Sequence, residues 1–116
     1  MMSRFLDFDL IGIEAEEGAP LPERVLSGAP EFRTWNLEEN AEGTLFAGIW
    51  ESTPGKWRIE YDEWEFCHIL SGRSIVSEEG GKTREVKAGD SFVIRPGFRG
   101  SWEVLETTRK EYVIKL

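Results

Sequence analysis

The fold is decided by two stretches of the chain, TPGKWRIEYDEWEFCHILSG at residues 53–72 and AGDSFVIRPGFRGSWEV at residues 88–104. In both, short apolar or alternating runs are separated by Pro-Gly, Ser-Gly or Gly-Asp pairs. Runs of about four to eight residues between such turn signals are typical of β-strands, because helices need longer periodic segments. The two stretches therefore predict several short strands in succession.

The same pattern covers the chain from residue 31 onward. Strands are predicted at residues 31–37, 44–52, 56–61, 64–70, 73–77, 83–87, 91–95, 101–107 and 111–116. Ser71-Gly72 is expected to end one strand, and Gly80-Gly81 is typical of a hairpin turn. No amphipathic helix is evident after residue 30. Evenly spaced short strands predict an all-β sandwich or barrel.

The first 30 residues differ from the rest. They contain the apolar run Leu10–Ile13, an acidic patch and three prolines, at positions 20, 22 and 30. We interpret residues 1–30 as an arm, with a short strand or turn of helix at its apolar run, and residues 31–116 as the barrel. An apolar arm should pack on its own barrel or on that of a second copy.

Composition excludes some partners and compartments. The formal net charge of −8 argues against nucleic acid and against an anionic membrane surface as partners. Cys67 is the single cysteine, so neither an intrachain disulfide nor a cysteine-based zinc site is expected. No apolar run has the length of a signal peptide core or a membrane span, which predicts a cytoplasmic protein.

Two segments carry a family resemblance, EFCHILSG at Glu65–Gly72 and GDSFVIRPG at Gly89–Gly97. They resemble the two motifs of the cupin superfamily. Together with RKEYVI at residues 109–114, these segments make the sequence similar to the small single-domain cupin 3 (DUF861) proteins. That group includes cupins similar to (S)-ureidoglycine aminohydrolase and to ethanolamine-utilisation proteins. The resemblance implies a double-stranded β-helix, or jelly-roll barrel, and a homodimer in which the N-terminal arms are exchanged.

The resemblance also implies where a metal would bind. Cupin enzymes hold one metal through two histidines and a glutamate of the first motif and one histidine of the second. Here those places are held by Ile59 and Tyr61 (by a longer spacing, Arg58 and Glu60), by Glu65 and by Gly100. Because only the glutamate remains, no metal is expected. If a divalent ion such as Mn, Ni, Zn or Fe binds, Tyr61 and Glu65 would hold it.

A ligand pocket is predicted inside the barrel. Its expected residues are Trp50, Trp57, Tyr61, Glu65, Cys67 and Trp102, with Arg58 or Arg99 supplying positive charge. Aromatic faces beside a carboxylate suit a small polar organic ligand, including one whose amino or guanidinium group Glu65 would hold. The alternative is that several of these aromatic residues only fill the barrel.

Other candidate residues have structural interpretations. Strand alternation places His68, the single histidine, on the opposite sheet face from Glu65 and therefore outside the pocket. Apolar surroundings and a neighbouring carboxylate should raise the pKa of Cys67, which makes it a weak nucleophile. Arg109 and Lys110 are predicted to lie on the surface or at a dimer contact.

Three functions stay open at the level of sequence. The first, which the loss of the histidines favours, is binding of a small polar metabolite without the usual metal. The second is metal-dependent hydrolysis of a C–N bond, as in the ureidoglycine aminohydrolases. The third is a non-catalytic, dimeric interaction protein. No catalytic residue is identified, and the sequence does not decide whether the protein is an enzyme.

Overall fold

The computed structural model describes residues 3–116. Its elements are β1 (Glu16–Gly18), a 3-10 helix (Pro22–Arg24), β2 (Val25–Gly28), β3 (Phe32–Glu39), β4 (Leu45–Ser52), β5 (Gly55–Glu60), β6 (Trp64–Glu78), β7 (Thr83–Lys87), β8 (Ser91–Ile94) and β9 (Arg99–Lys115). The all-β prediction is therefore confirmed. In the described part of the chain, no helix has the length and apolar character of a membrane span.

The strands form one antiparallel sheet that curls into a barrel. Along one path the order is β1-β3-β4-β9-β5-β2, and β6 pairs with β7, β8 and β9. Strand β9 pairs with β5 through residues 99–104 and with β4 through residues 108–115. Because β6 follows β9 along most of its length, these two long strands connect the two halves of the barrel.

The continuity of β6 and β9 corrects the sequence analysis. The sequence predicts that Ser71-Gly72 ends a strand and that residues 101–107 and 111–116 are separate strands. Instead, each strand continues through shifts of register between Ile69 and Ser74. Gly72 has a φ of +86°, and a Cβ there would collide with the carbonyl oxygen of Thr107. Glycine at this position therefore allows two backbones to cross closely without breaking the strand.

Side chains alternate between the inside and the outside of the barrel. In β6, Glu65, Cys67 and Ile69 are buried inside, while Phe66 and His68 lie on the outer face. The central core consists of Trp57, Ile59, Ile69, Val76, Val86, Ile94, Trp102 and Val104. Burial of these side chains stabilises the barrel through the hydrophobic effect. The side-chain direction along β6 agrees with the alternation expected from the sequence.

The N-terminal segment contributes strands to the sheet and also leaves apolar side chains exposed. Strand β1 pairs with β3, and β2 pairs with β5. The run Leu10–Ile13 forms a turn, in which the Ile13 N–H donates to the Leu10 carbonyl at 3.1 Å. Phe5 and Ile11 remain 79% and 88% exposed. Residues 1 and 2 of the expected arm lie outside the described residues.

Candidate functional site

A cavity of about 530 Å³ lies inside the barrel. It is lined by Glu16, Phe32, Thr34, Asn36, Glu39, Phe46, Trp50, Trp57, Ile59, Tyr61, Glu63, Glu65, Trp102, Lys110, Tyr112 and Ile114. Strands β1, β3, β4, β5, β6 and β9 and the turn before β6 supply these residues. Trp57, Ile59 and Trp102 belong to the core as well, so the cavity begins where the packed core ends.

A buried ion pair forms the floor of the cavity. The Lys110 Nζ lies 3.0 Å from the Glu65 Oε2, and the two residues are 4% and 3% exposed. The expectation that Lys110 lies on the surface or at a dimer contact is therefore wrong. Because β9 is continuous, Lys110 shares the inward face with Tyr112 and Ile114. Arg109, its neighbour, points outward and pairs with Glu51 at 2.8 Å.

Aromatic rings surround the Lys110 ammonium. Its Nζ lies 4.4 Å from the ring centroid of Trp102 and 4.6 Å from that of Trp50. Both distances are within the range of cation–π attraction. Phe32 and Trp57 continue the wall, with ring centroids 5.1 Å apart. The ammonium is therefore held by a carboxylate on one side and by two indole faces.

The environment keeps Lys110 charged and Cys67 neutral. Burial lowers the pKa of the Lys110 ammonium, but the charge of Glu65 and the hydrogen bonds to Glu65 and Cys67 outweigh burial and raise it above its ordinary value. Burial raises the pKa of the Cys67 thiol to about 12, an effect that the Lys110 charge opposes and Glu65 reinforces. The increase expected from the sequence is confirmed in direction. A thiol with this pKa is a poor nucleophile at neutral pH.

Two tyrosines complete the polar part of the wall. Burial, followed by the charge of Glu65, raises the pKa of Tyr61 well above its ordinary value. Burial, with Glu65 and Glu16, raises the pKa of Tyr112 to about 12. The Tyr112 hydroxyl donates to the Asn36 Oδ1 at 2.8 Å. Both phenols are therefore neutral hydrogen-bonding groups at neutral pH.

The cavity carries an excess of negative charge. Four glutamates line it against one lysine. Glu65 is buried beside Lys110, whereas Glu16 and Glu39 are exposed and Glu63 is half-buried. These three carboxylates form what we call the acidic rim. Strand β1 brings Glu16 to the rim, so the N-terminal segment contributes to the site.

The structure brings five of the six predicted pocket residues together. Trp50, Trp57, Tyr61, Glu65 and Trp102 all line the cavity. Cys67 is the sixth. It is fully buried behind Glu65 and is not among the lining residues.

The predicted source of positive charge is wrong. Arg58 is exposed on the outside of β5, and the Arg99 Nη1 pairs with the Glu60 Oε2 at 3.0 Å, also outside the cavity. The side chain that supplies the charge is Lys110. His68 lies on the outer face, where its Nδ1 is 2.7 Å from the Ser91 Oγ.

The residues at the cupin metal positions do not fit a metal ion. Glu65 is already paired with Lys110, and Ile59 has no donor atom. At Gly100, a Cβ would collide with the Ser77 carbonyl oxygen, so no side chain can extend there. Within residues 3–116, no group of three or more His, Cys, Asp or Glu side chains is placed to hold a metal.

Comparison with known proteins gives a family and several structural neighbours. The model of a family described as the EutQ-like cupin domain matches residues 39–112. A DUF861 protein of unknown function from Pseudomonas syringae pv. tomato is 27% identical, with a TM-score of 0.82 over 93% of this chain. The chain spans 46% of that protein. No curated protein matches the chain.

Two further structures share the fold. The EutQ protein of Clostridium difficile is 18% identical, with a TM-score of 0.65, and the match covers 74% of this chain and 63% of that one. A protein from Thermotoga maritima described as a predicted oxalate decarboxylase is also 18% identical. Its TM-score is 0.75, and the match covers 96% of this chain and 99% of that one. At these identities the likeness concerns the barrel alone.

Proposed function

The chain belongs to the EutQ-like cupin family. We propose that it binds a small organic amine inside its barrel. The observation that carries the proposal is the aromatic cavity with its excess of carboxylates. A volume of about 530 Å³ is in the range of pockets that hold small molecules. The likeness to other cupins supports the barrel, whereas the ligand class rests on the cavity.

The charge of the cavity favours a cation. Four glutamates outnumber the single lysine, so an anionic ligand would meet net repulsion and an ammonium net attraction. Glu65 is the partner that the sequence suggests for a ligand amine, but it is already paired with Lys110. The acidic rim of Glu16, Glu39 and Glu63 is the free anionic surface. We therefore place the amine of the ligand at the rim.

The aromatic wall suits the rest of such a ligand. Phe32 and Trp57 present ring surface beside the Trp50 and Trp102 faces that Lys110 covers. Ring surface buries the carbon skeleton of a small amine and attracts the adjacent charge through cation–π interaction. The combination selects an amine with an apolar chain over a fully hydrated inorganic cation.

A matched pair of probes tests the proposal. Butylamine and butyrate have chains of the same length and opposite charges. Because a ligand that binds the folded state raises its stability, we expect butylamine to raise the melting temperature and butyrate to leave it unchanged. A larger shift with butyrate than with butylamine would show that the cavity does not select cations.

Rim variants test where the amine binds. The combined change Glu16→Gln, Glu39→Gln and Glu63→Gln removes the negative potential of the rim and should therefore remove most of the butylamine shift. Glu111→Gln is the matched control, because Glu111 lies on β9 next to Lys110 but does not line the cavity. An undiminished shift in the triple variant would place the amine away from the acidic rim.

We also propose that the protein forms a homodimer through its N-terminal arm. The observation in favour is the exposure of apolar side chains on residues 3–15, among them Phe5, Leu6 and Ile11. Apolar side chains clustered in one exposed segment favour burial against another surface. Because Glu16 follows this segment directly, such a contact would lie beside the rim of the cavity.

A further inference from the structure

The Lys110 ammonium has more donors than good acceptors. An ammonium carries three N–H groups, and each prefers an oxygen acceptor when buried. Within residues 3–116, Lys110 has one ion-pair partner, Glu65, whose Oε2 lies 3.0 Å from the Lys110 Nζ. At least one further N–H is therefore left for weaker partners.

The other groups around the ammonium are weak acceptors. The indole faces of Trp50 and Trp102 attract the charge but offer no lone pair. The Cys67 thiol is neutral at neutral pH, and a thiol sulfur accepts hydrogen bonds poorly. Lys110 nevertheless lines the cavity, so a ligand oxygen that enters the cavity can reach it.

We propose that Lys110 donates a hydrogen bond to an uncharged oxygen, a carbonyl or hydroxyl, at the inner end of the ligand. This inference rests on the proposed function, because it assumes that the ligand enters this cavity with its amine at the acidic rim. The ligand class then becomes a small amine with a neutral oxygen acceptor at its other end.

The charge balance explains why the oxygen is uncharged. Lys110 and Glu65 together carry no net charge, so a ligand carboxylate at the floor would lack a counterion. It would also lie beside Glu65, and like charges at close range in a poorly hydrated cavity repel strongly. A carbonyl or hydroxyl accepts the hydrogen bond without adding charge.

Trp102 adds a second observation at the same place. The ammonium rests on its ring, and its indole N–H is buried with no hydrogen-bond partner in the described part of the chain. Buried donors in proteins are nearly always paired. Two neighbouring residues of the floor therefore carry donors that the protein itself does not fully satisfy.

Three probes that share one amine test the inference by calorimetric titration. They are butylamine, 4-aminobutanamide and 4-aminobutanoate, which end in a methyl group, a neutral amide and a carboxylate. A hydrogen bond to a charged group is expected to improve affinity by about tenfold or more. We therefore expect the wild-type protein to bind the amide about tenfold more tightly than butylamine, and the carboxylate less tightly than the amide.

The variant Lys110→Met/Glu65→Gln removes the donor without leaving an unpaired charge. It should reduce the advantage of the amide over butylamine to less than about twofold. Cooperative unfolding would show that this variant is folded. If it is not folded, the affinities of the three probes for the wild-type protein decide the inference alone.

Each outcome points to one conclusion. If none of the three probes binds the wild-type protein, the proposed function is wrong, and this inference fails with it. If butylamine binds and the amide binds no better, the function stands and the inference is wrong. Tightest binding by the carboxylate, or an amide advantage that persists in the double variant, also overturns it.

Discussion

Replacing one partner of the buried Lys110–Glu65 pair should destabilise the protein more than replacing both partners. Lys110→Met leaves the Glu65 carboxylate, only 3% exposed, without its cation. Losing one partner of a buried pair costs about 3–5 kcal/mol of unfolding free energy. Lys110→Met also removes attraction to two indole rings, so we expect a loss of about 4 kcal/mol. Glu65→Gln should cost about 2–3 kcal/mol, because the rings still stabilise the ammonium.

The double variant Lys110→Met/Glu65→Gln contains neither charge. We expect it to be more stable than the sum of the single effects by at least about 2 kcal/mol. Urea unfolding of the wild type, the two single variants and the double variant gives the four free energies of unfolding. An unchanged slope of free energy against urea concentration would show that each protein unfolds from a similarly compact state.

An exposed pair provides the matched control. The Arg73 Nη1 and the Glu85 Oε1 are 3.0 Å apart, but the side chains are 43% and 50% exposed. The cycle of Arg73→Met and Glu85→Gln should therefore give a coupling below about 1 kcal/mol. If the Lys110–Glu65 cycle gave a coupling below about 0.5 kcal/mol, the reasoning that places this pair in a poorly hydrated floor would be refuted.

Three further predictions concern Cys67, Gly48 and the N-terminal arm. The pKa of Cys67 rises from 9.0 to about 12 on folding. The contribution of its thiol to the free energy of unfolding is therefore fully present below about pH 9 and falls by about 1.4 kcal/mol per pH unit between about pH 9 and about pH 12. Cys67→Ala should remove this part of the alkaline destabilisation in urea unfolding at about pH 8 and about pH 11, and an equal pH dependence in both proteins would contradict it. Gly48→Ala should lower the free energy of unfolding by about 3 kcal/mol, because the added Cβ would collide with the Trp35 carbonyl oxygen. Gly89→Ala is the control and should cost less: its φ of +93° is strained for alanine, but its Cβ would meet no atom within 4 Å. Removing residues 1–13 should shift the protein from dimer to monomer in analytical ultracentrifugation, and a truncated protein that remains fully dimeric would contradict the role of the arm.

Alternation and turn signals sufficed to predict most of the barrel. Gly80-Gly81 and Pro96-Gly97 separate strands as expected, and the inward direction of Glu65 follows from the period of two along β6. The long strands could not be predicted in the same way. Ser71-Gly72 has the composition of a turn, and only the crossing against Thr107 shows that the glycine serves a close approach of backbones.

The error about Lys110 follows from the same cause. A basic pair between two short predicted strands looks like a solvated turn, which is why the sequence predicts Arg109 and Lys110 on the surface or at a dimer contact. Once β9 is continuous, alternation from Tyr112 and Ile114 places Lys110 inside. That signal was present in the sequence. The pairing with Glu65 was not, because it depends on β6 and β9 lying side by side, with Glu65 opposite Ile114.

The most direct test of the central claim uses the tryptophan indole N–H signals in a two-dimensional ¹⁵N–¹H spectrum during titration with butylamine. Of the five tryptophans, Trp50, Trp57 and Trp102 line the cavity, while Trp35 and Trp64 do not and serve as internal controls. We predict that the three cavity signals move together along one saturable curve and that the two control signals stay in place. Saturable movement of the Trp35 or Trp64 signal with the cavity signals unchanged would contradict binding inside the barrel.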